Sequence, residues 1–519
     1  MYICIVVFTS QIFLTFRNGS NKNDFFKNTK NTLYEIFQVV REGDLLSHVI
    51  DYQSVFKLKT IDLCENSVKY LEGLFCAERS KRNIERMVEK SKAQYQSQQH
   101  FITDSPWSAS QLMMDVAKKV NLDLGDTKLQ ALNIDENSNK KSGKHSVGVS
   151  RQYNGNEGKI ENSQTGVFAS LGSGEKVSLV NARLYLPKEW TDDEKRCIKA
   201  GVPKKEIKYA TKVQLAMDLI EELDNNGIEY GWIGADSLYG QGYEFANTLD
   251  KKGKKFVLDV KTNQHIYHIE PVVLVEKRVT KKGKQIVKLT NKQESIKVED
   301  YYKTLIKNDF TQVEWRKGTK GWLKGLFHIQ TVWVWDNKSE KAQKRTLIIR
   351  KDSNKIKFSL SNFTMEEKSI EEFAYMQGQR YWIERSFQDN IGELGMADYQ
   401  VRKYNSWYHH MALVMMAMHF ILKKRLEKKE DIPLLSARDV RLQTIALLLS
   451  QGVTMEEEIT QMLHRHIQRE KDIQRHLKNN QNDILYEDFS DNSYTYNKMD
   501  CEYNIGKLRV NNEVNSFLY

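Results

Sequence analysis

Three acidic residues occupy positions at which a protein can build a divalent-cation site for phosphate chemistry. Asp135 follows the apolar run ALNI and Asp236 follows YGWIGA, so each is predicted at the carboxyl end of a strand, whereas Glu384 lies within a predicted helix. Phosphodiester cleavage uses two divalent ions roughly 3.5–4 Å apart, one activating the attacking oxygen and one stabilising the leaving oxygen. Mg²⁺ prefers carboxylate oxygens for this work. Because the chain has 68 acidic residues, these three alone are a weak indication.

Polar residues near these acids have the spacing needed to contact a phosphate. Arg380 precedes Glu384 by four residues and Gln388 follows it by four, so all three share one face of a helix. Arg380 is placed to contact a phosphate, or alternatively to form an intrahelical pair with Glu384 that contributes a few tenths of a kcal/mol. The segment after Asp135 is basic, and its cations either contact DNA or remain solvated: they are Lys140, Lys141 and Lys144.

The elements that carry these residues follow from hydrophobic periodicity. Residues 128–261 read as β-β-β-α-β-α-β, an order typical of a mixed-sheet α/β domain with its site at the ends of central strands. Residues 262–364 are strand-rich and basic, which predicts an inserted β subdomain. The remaining segments are a poorly ordered leader (1–32), an N-terminal helical DNA-binding domain (33–127), the core helices with Glu384 (365–425), a C-terminal helical region (426–476) and a mobile tail (477–519).

Composition narrows the class of protein. The 519 residues are 40% hydrophobic and 28% charged, which excludes wholesale disorder, collagen and a polytopic membrane protein. The apolar stretches at 1–16 and 411–422 are shorter than the 18 residues that a membrane span needs. A formal charge of +11 favours a polyanionic partner. Five scattered cysteines form no zinc-type spacing, which indicates a reducing cytosol.

Four blocks of sequence resemble the DDE-type transposases of bacterial insertion sequences, in the lineage with a long β-rich insertion before the catalytic Glu. The blocks are HSVGVSRQYNGNEGKIENSQTGVFASL (145–171), ARLYLPKEWTDD (182–193), GIEYGWIGADSLYG (227–240) and QRYWIERSFQDNIGELGMADYQVRKYNSWYHHMALVMMAMHFI (379–421). The resemblance implies a ribonuclease H-like core interrupted by a β-rich insertion and flanked by helical regions. It also implies that Asp135, Asp236 and Glu384 hold two Mg²⁺ ions, for which Mn²⁺ is a possible substitute.

The sequence departs from this family's pattern at several positions. The wider group has a Tyr, Arg, Glu, Lys pattern on the helix with the catalytic Glu, and here the Tyr and Lys positions are Gln377 and Ile391. A Thr often stands two residues after the first Asp, where this chain has Asn137. In related transposases an aromatic residue of the insertion stacks on a flipped base. Trp315 is a candidate for that role, with packing inside the β subdomain as the alternative.

The expected function is therefore that of a cytoplasmic, nucleoid-associated transposase with no membrane association. It would bind the terminal inverted repeats of its element in double-stranded DNA, cleave the ends, and join the 3′-OH to target DNA, with a homodimer pairing the two ends. Two alternatives stay open: a metal-dependent nuclease without strand transfer, and a catalytically inactive DNA-binding derivative.

Overall fold

The computed structural model describes residues 36–279, 285–318, 321–352 and 355–449, and then 459, 462–463, 466–467, 470–471, 473–475 and 477. The predicted leader (1–32) and almost all of the predicted tail (477–519) lie outside the described residues. The chain divides into two compact units, 1–468 and 469–519. The described residues of the second unit are helical, and the sections below concern the first. No helix in the described part of the chain is long and apolar enough to cross a membrane.

Sixteen α-helices are assigned in the described residues of the first unit, nine of them before Asp236. Those before Asp135 are α1 Asp44–Ile50, α2 Gln53–Phe56, α3 Cys64–Cys76, α4 Ile84–Ser91, α5 Tyr95–Thr103 and α6 Ala109–Leu124. Those between Asp135 and Asp236 are α7 Lys188–Thr191, α8 Glu194–Lys199 and α9 Lys212–Asn225. The others are α10 Ser237–Gly240, α11 Tyr243–Lys251, α12 Val298–Thr304, α13 Ile370–Gln379, α14 Tyr381–Leu394, α15 Tyr404–Glu427 and α16 Ala437–Leu449.

The strands follow in two runs. The core strands are β1 Ala131–Lys140, β2 Ser150–Asn154, β3 Lys159–Ser173, β4 Lys176–Leu184, β5 Trp232–Ala235 and β6 Phe256–Val260. The strands of the insertion are β7 His265–Ile266, β8 Leu274–Val279, β9 Gln285–Thr290, β10 Ile296–Lys297, β11 Thr311–Gly318, β12 Gly321–Val334, β13 Gln343–Lys351 and β14 Ile356–Ser361.

The core sheet confirms the predicted ribonuclease H-like class. Its strands lie in the order β4-β3-β1-β5-β6, with β3 antiparallel to β1 and with β5 and β6 parallel to it. The long strand β3 pairs with β1 along one edge, and β2 and β4 share its other edge. Parallel strands buried on both faces read as apolar runs, which is why WIGA and FVLDV were recognisable in the sequence.

The insertion continues the core sheet instead of folding apart from it. β14 pairs antiparallel with β6, and β13, β12 and β11 extend the same sheet outward to give ten strands in all. Helix α13 packs across this extension, with Phe373 and Ala374 buried against Trp315 and Phe327. The insertion is therefore fixed to the strand that neighbours the one leading to Asp236.

Helix α15 lies at the centre of the unit. It is buried around most of its circumference, with sixteen buried residues, as expected for a helix that is apolar on all sides. One hydrophobic core joins it to the N-terminal helices, the core sheet and α14. Helix α14 ends before Gly395, whose φ of 66° provides the left-handed termination that favours glycine.

Candidate active site

Two adjacent parallel strands bring Asp135 and Asp236 to the same edge of the sheet. β1 and β5 are in parallel register up to the pair Ile134 and Ala235, so the next residue of each chain segment is one of the two acids. The Oδ1 of Asp236 also accepts the backbone N–H of Leu238 at 2.9 Å and so caps α10. Sheet geometry thus fixes the position of both carboxylates.

Glu136 joins these two aspartates, although alternation along a strand places neighbouring side chains on opposite faces. One carboxylate oxygen from each of Asp135, Glu136 and Asp236 lies within 4.8 Å of the others. The Oε1 of Glu136 lies 3.0 Å from the Lys212 Nζ, and its Oε2 accepts the Tyr239 hydroxyl at 3.1 Å. Sequence analysis missed Glu136 because both partners are distant in the sequence and strand alternation argued against it.

Arg380 connects Glu384 to this edge of the sheet from the junction of α13 and α14. Its Nη2 lies 2.7 Å from the Oε1 of Glu384, and its Nη1 lies 3.6 Å from the Oδ2 of Asp135. Its Nε lies 2.8 Å from the Oδ2 of Asp259, but that N–H is not aligned for a hydrogen bond, so the contact is electrostatic. The Glu384 side chain is 46% exposed and is not a member of the three-carboxylate group. Arg380 thus forms the ion pair with Glu384, and its contact with a phosphate stays a prediction.

Asp259 was not identified from the sequence, although it is the one acid in the apolar strand FVLDV. Its Oδ1 accepts the hydroxyl of Ser359 at 2.6 Å, and these two residues are cross-strand partners of β6 and β14. The Nε2 of Gln377 in turn donates to the Ser359 hydroxyl at 2.9 Å. A register that joins residues 100 positions apart cannot be read from local patterns.

The carboxylates carry an excess of negative charge. Burial raises the pKa of Asp135 to about 8; Arg380 partly offsets this, whereas Asp236 and Glu136 add to it. Burial is also the main cause that raises the pKa of Asp236. Burial alone would lower the pKa of Arg380, but the carboxylates around it, Asp259 foremost, raise it overall. The donor set is all carboxylate oxygen and is underneutralised, which suits a hard divalent cation.

The polar residues predicted to contact DNA differ in their accessibility. Gln388, Lys140 and Lys144 are exposed. Lys141 instead points inward: its Nζ donates to the backbone carbonyl of Tyr399 at 3.0 Å and lies 3.6 Å from the centroid of that ring. Burial lowers the pKa of Lys141 to about 8. The Lys141 ammonium is thus engaged with Tyr399, and its contact with a phosphate stays a prediction.

Trp315 lies in the interface between the insertion and α13. It is 7% exposed, and the guanidinium carbon of Arg350 lies 3.9 Å from its ring centroid. A Cβ built on Gly378 would lie 2.9 Å from the Trp315 ring, so glycine permits this close approach of helix and strand. Trp322, on the neighbouring strand, is 56% exposed. Base stacking by Trp315 stays a prediction and requires its ring to be uncovered.

Three cations of the insertion, Arg316, Arg350 and Lys357, form what we term the basic cluster. Arg350 and Lys357 are cross-strand partners on β13 and β14, and the Arg316 guanidinium carbon lies 3.7 Å from the Tyr381 ring centroid. Burial lowers the pKa of Lys357, and repulsion from Arg380 adds to the effect. The Nε atoms of Arg316 and Arg350 are buried without an aligned hydrogen bond among the described residues, although the Arg350 Nε lies 3.3 Å from the Oδ2 of Asp352. Closely placed like charges with unused donors favour an anion.

Comparison with known proteins agrees with the resemblance seen in the sequence. The family model described as DDE superfamily endonuclease matches residues 62–322. A protein of Microchaete diplosiphon described as a probable transposase for insertion sequence element IS701 is 31% identical over 171 residues. That alignment covers 32% of this chain and 41% of the relative, so the chain matches less than half of the relative's length.

Proposed function

The chain belongs to the DDE superfamily endonucleases, and from this premise we propose that it is the transposase of an insertion sequence. It binds the terminal inverted repeats in double-stranded DNA, cleaves the ends and joins the freed 3′-OH to target DNA. The observation that carries the proposal is the meeting of Asp135 and Asp236 at one sheet edge, with Glu384 linked to it through Arg380. A homodimer that pairs the two ends, in the cytoplasm at the nucleoid, completes the proposal.

Divalent metal ions are part of this function, as the superfamily implies, and the carboxylate oxygens present fit them. Asp135, Asp236 and Glu384 would hold two Mg²⁺ ions, for which Mn²⁺ is a substitute, and Glu136 is placed to assist. Bound ions supply activation of the attacking oxygen and stabilisation of the leaving oxygen. Glu384 must then leave Arg380, which its partial exposure permits.

The DNA backbone is proposed to lie across the basic cluster and the exposed face of α14. Gln388 is on this helix and Arg380 immediately precedes it, and Lys140 and Lys144 extend the cationic surface beyond β1. Positioning the phosphate and neutralising its charge are the protein's main contributions to in-line displacement at phosphorus. Trp315 would take part only if binding of DNA displaces Arg350 from its ring.

A labelled duplex carrying the DNA that flanks the reading frame tests this proposal. With Mg²⁺ and a supercoiled target plasmid, the parent protein is expected to release the end and to join it to the target. Asp236→Asn is expected to bind the same duplex without cleaving it. Cleavage without joining would identify the alternative nuclease, and binding without cleavage by the parent would identify the inactive derivative. An unrelated duplex of equal length serves as the control for sequence-specific binding.

A further inference from the structure

We infer that Asp259 is a positioning residue that fixes the guanidinium of Arg380, and that Ser359 and Gln377 fix Asp259. The inference rests on the proposed function for its DNA readout, although its central test needs no DNA. It assigns an internal role to Gln377, at the position where the related pattern has a tyrosine.

Both oxygens of Asp259 are engaged by groups of the protein. Oδ1 accepts the Ser359 hydroxyl at 2.6 Å, and Oδ2 lies 2.8 Å from the Nε of Arg380. One oxygen is in a hydrogen bond and the other is in a close ion contact, so Asp259 would have to give up one of these two partners to ligate a metal.

The supporting residues are buried, so their arrangement is fixed by packing. Ser359 is fully buried, Gln377 is 5% exposed and the Asp259 side chain is 16% exposed. The Ser359 hydroxyl donates its hydrogen bond to Asp259 and accepts one from the Gln377 Nε2 at 2.9 Å. This directional chain runs from α13 through β14 to β6. Hydrogen bonds to a charged group in such a setting are strong and orienting.

The consequence concerns the state in which metal ions have taken Asp135 and Glu384. Arg380 then loses two of its three carboxylate partners and keeps Asp259. Held at its Nε edge, it presents both Nη groups to the space between Asp135 and Glu384, where a substrate phosphate must lie in the proposed function. Asp259 would thus keep Arg380 oriented for phosphate while contributing no ligand to the metal.

The matched control is a second aspartate–arginine pair in the same region of the chain. Asp250 pairs with Arg345 and accepts the amide of Asn362 at 2.9 Å, so it has the same chemistry without Arg380 as its partner. The Asp250 and Asp259 side chains are also similarly shielded, at 25% and 16% exposed. Asp250→Asn therefore reproduces the loss of a shielded ion pair elsewhere.

The central test is the rate at which phenylglyoxal modifies each arginine, followed by peptide mass spectrometry on the whole metal-free chain. Asp259→Asn is expected to accelerate modification of Arg380 roughly tenfold, equivalent to losing about 1.4 kcal/mol of interaction. Ser359→Ala, which changes no charge, is expected to accelerate it by a smaller factor. Asp250→Asn is expected to accelerate the modification of Arg345 and to leave the modification of Arg380 at the parent rate. Unchanged Arg380 reactivity in both Asp259→Asn and Ser359→Ala would overturn the inference.

A second measurement separates positioning from metal ligation. Mn²⁺ binding by Asp259→Asn, followed by electron paramagnetic resonance, is expected to stay within roughly threefold of the parent, whereas Asp135→Asn should lose it. End-DNA affinity in Ca²⁺ should fall in Asp259→Asn despite the added positive charge, and should fall no further when Arg380→Gln is added. Loss of Mn²⁺ binding in Asp259→Asn would make Asp259 a ligand and contradict the inference. If the parent binds no end DNA, the proposed function fails while the modification test still decides the role of Asp259.

Discussion

The Nη2 of Arg380 lies 2.7 Å from the Oε1 of Glu384, one helical turn further along the chain. The same guanidinium also reaches Asp135, at 3.6 Å. Arg380 therefore neutralises two carboxylates that are proposed metal ligands. In the proposed function a divalent cation and this guanidinium would compete for the same oxygens, so metal binding and catalysis should be separable.

Replacing Arg380 by glutamine should move metal affinity and cleavage in opposite directions. Arg380→Gln is expected to tighten Mn²⁺ binding roughly tenfold, because the competing cation is gone. Cleavage should fall by about 10²–10³, since a charge-stabilising donor is lost from the transition state. Calorimetric Mn²⁺ titration and single-turnover cleavage measure the two effects.

The control for this variant is an arginine five residues further along the chain. Arg385 pairs with Asp389 at 2.9 Å with the same spacing of four residues, so Arg385→Gln removes an equivalent pair away from the carboxylates. It should leave Mn²⁺ affinity near the parent value. Weaker Mn²⁺ binding by Arg380→Gln would show that the arginine supports the metal site instead of competing for it.

Neutralising Asp135 should abolish cleavage and yet stabilise the metal-free protein. Folding raises the pKa of Asp135 from 3.8 to about 8, so its stabilising contribution is complete below 3.8 and is lost as pH rises through 8. Asp135→Asn should therefore gain on the order of 1–2 kcal/mol in unfolding free energy. Calorimetry without metal should show a larger gain in unfolding free energy for Asp135→Asn at pH 9 than at pH 6. A gain that is the same at both pH values, or a loss of stability, would contradict the raised pKa of Asp135.

The basic cluster should contribute measurably to the salt dependence of DNA binding. Each phosphate contact adds about −0.9 to the slope of log affinity against log salt. Arg316→Gln is expected to weaken binding for all sequences and to make the slope shallower by roughly one contact. Lys303→Gln is the control, because Lys303 is exposed and paired with Asp300 at 3.0 Å. Equal slopes for the two variants would show that Arg316 makes no contact with a DNA phosphate.

The part of the site that local sequence patterns predicted is the part built from strand ends. Asp135 and Asp236 each follow an apolar strand, and parallel neighbours end at the same edge, so their proximity followed from strand order alone. The spacing of four residues likewise placed Arg380 against Glu384. The roles of these residues in catalysis stay predictions until cleavage by the variants is measured.

The rest of the site depends on contacts between distant segments. Asp259 meets Ser359 only because the insertion returns to pair with the core sheet, and no local pattern specifies that register. Gln377 is buried, and Ile391 is partly buried against the main core. Their departure from the family pattern thus has a packing explanation that spacing on an isolated helix cannot reveal, since spacing gives the shared face and not what covers it.

The last prediction concerns acid stability and rests on a buried histidine that is not part of the carboxylate site. His410 is fully buried on α15, and its Nδ1 shares a hydrogen bond of 2.8 Å with the Tyr70 hydroxyl. Burial, with a smaller repulsion from Lys141, lowers the pKa of His410 from 6.5 to about 3. Between these values the unfolded chain binds a proton that the folded chain does not, so stability is complete above pH 6.5 and falls as pH drops.

His410→Gln should therefore lose less stability on acidification than the parent does. The variant can still form a hydrogen bond with the Tyr70 hydroxyl, but repacking should lower its stability at pH 7.5. The difference in unfolding free energy between parent and variant should then narrow by about 1.4 kcal/mol per pH unit below 6.5. Buried His48 and His409, whose pKa values are also lowered mainly by burial, remain in both proteins and cancel in the comparison. His145→Gln, at an exposed position, is the control and should keep the parent's pH dependence. A difference in unfolding free energy that stays constant from pH 7.5 to 5 would mean that His410 takes up its proton in the folded state. Burial of His410 beside Tyr70 would then not determine the acid stability of this core.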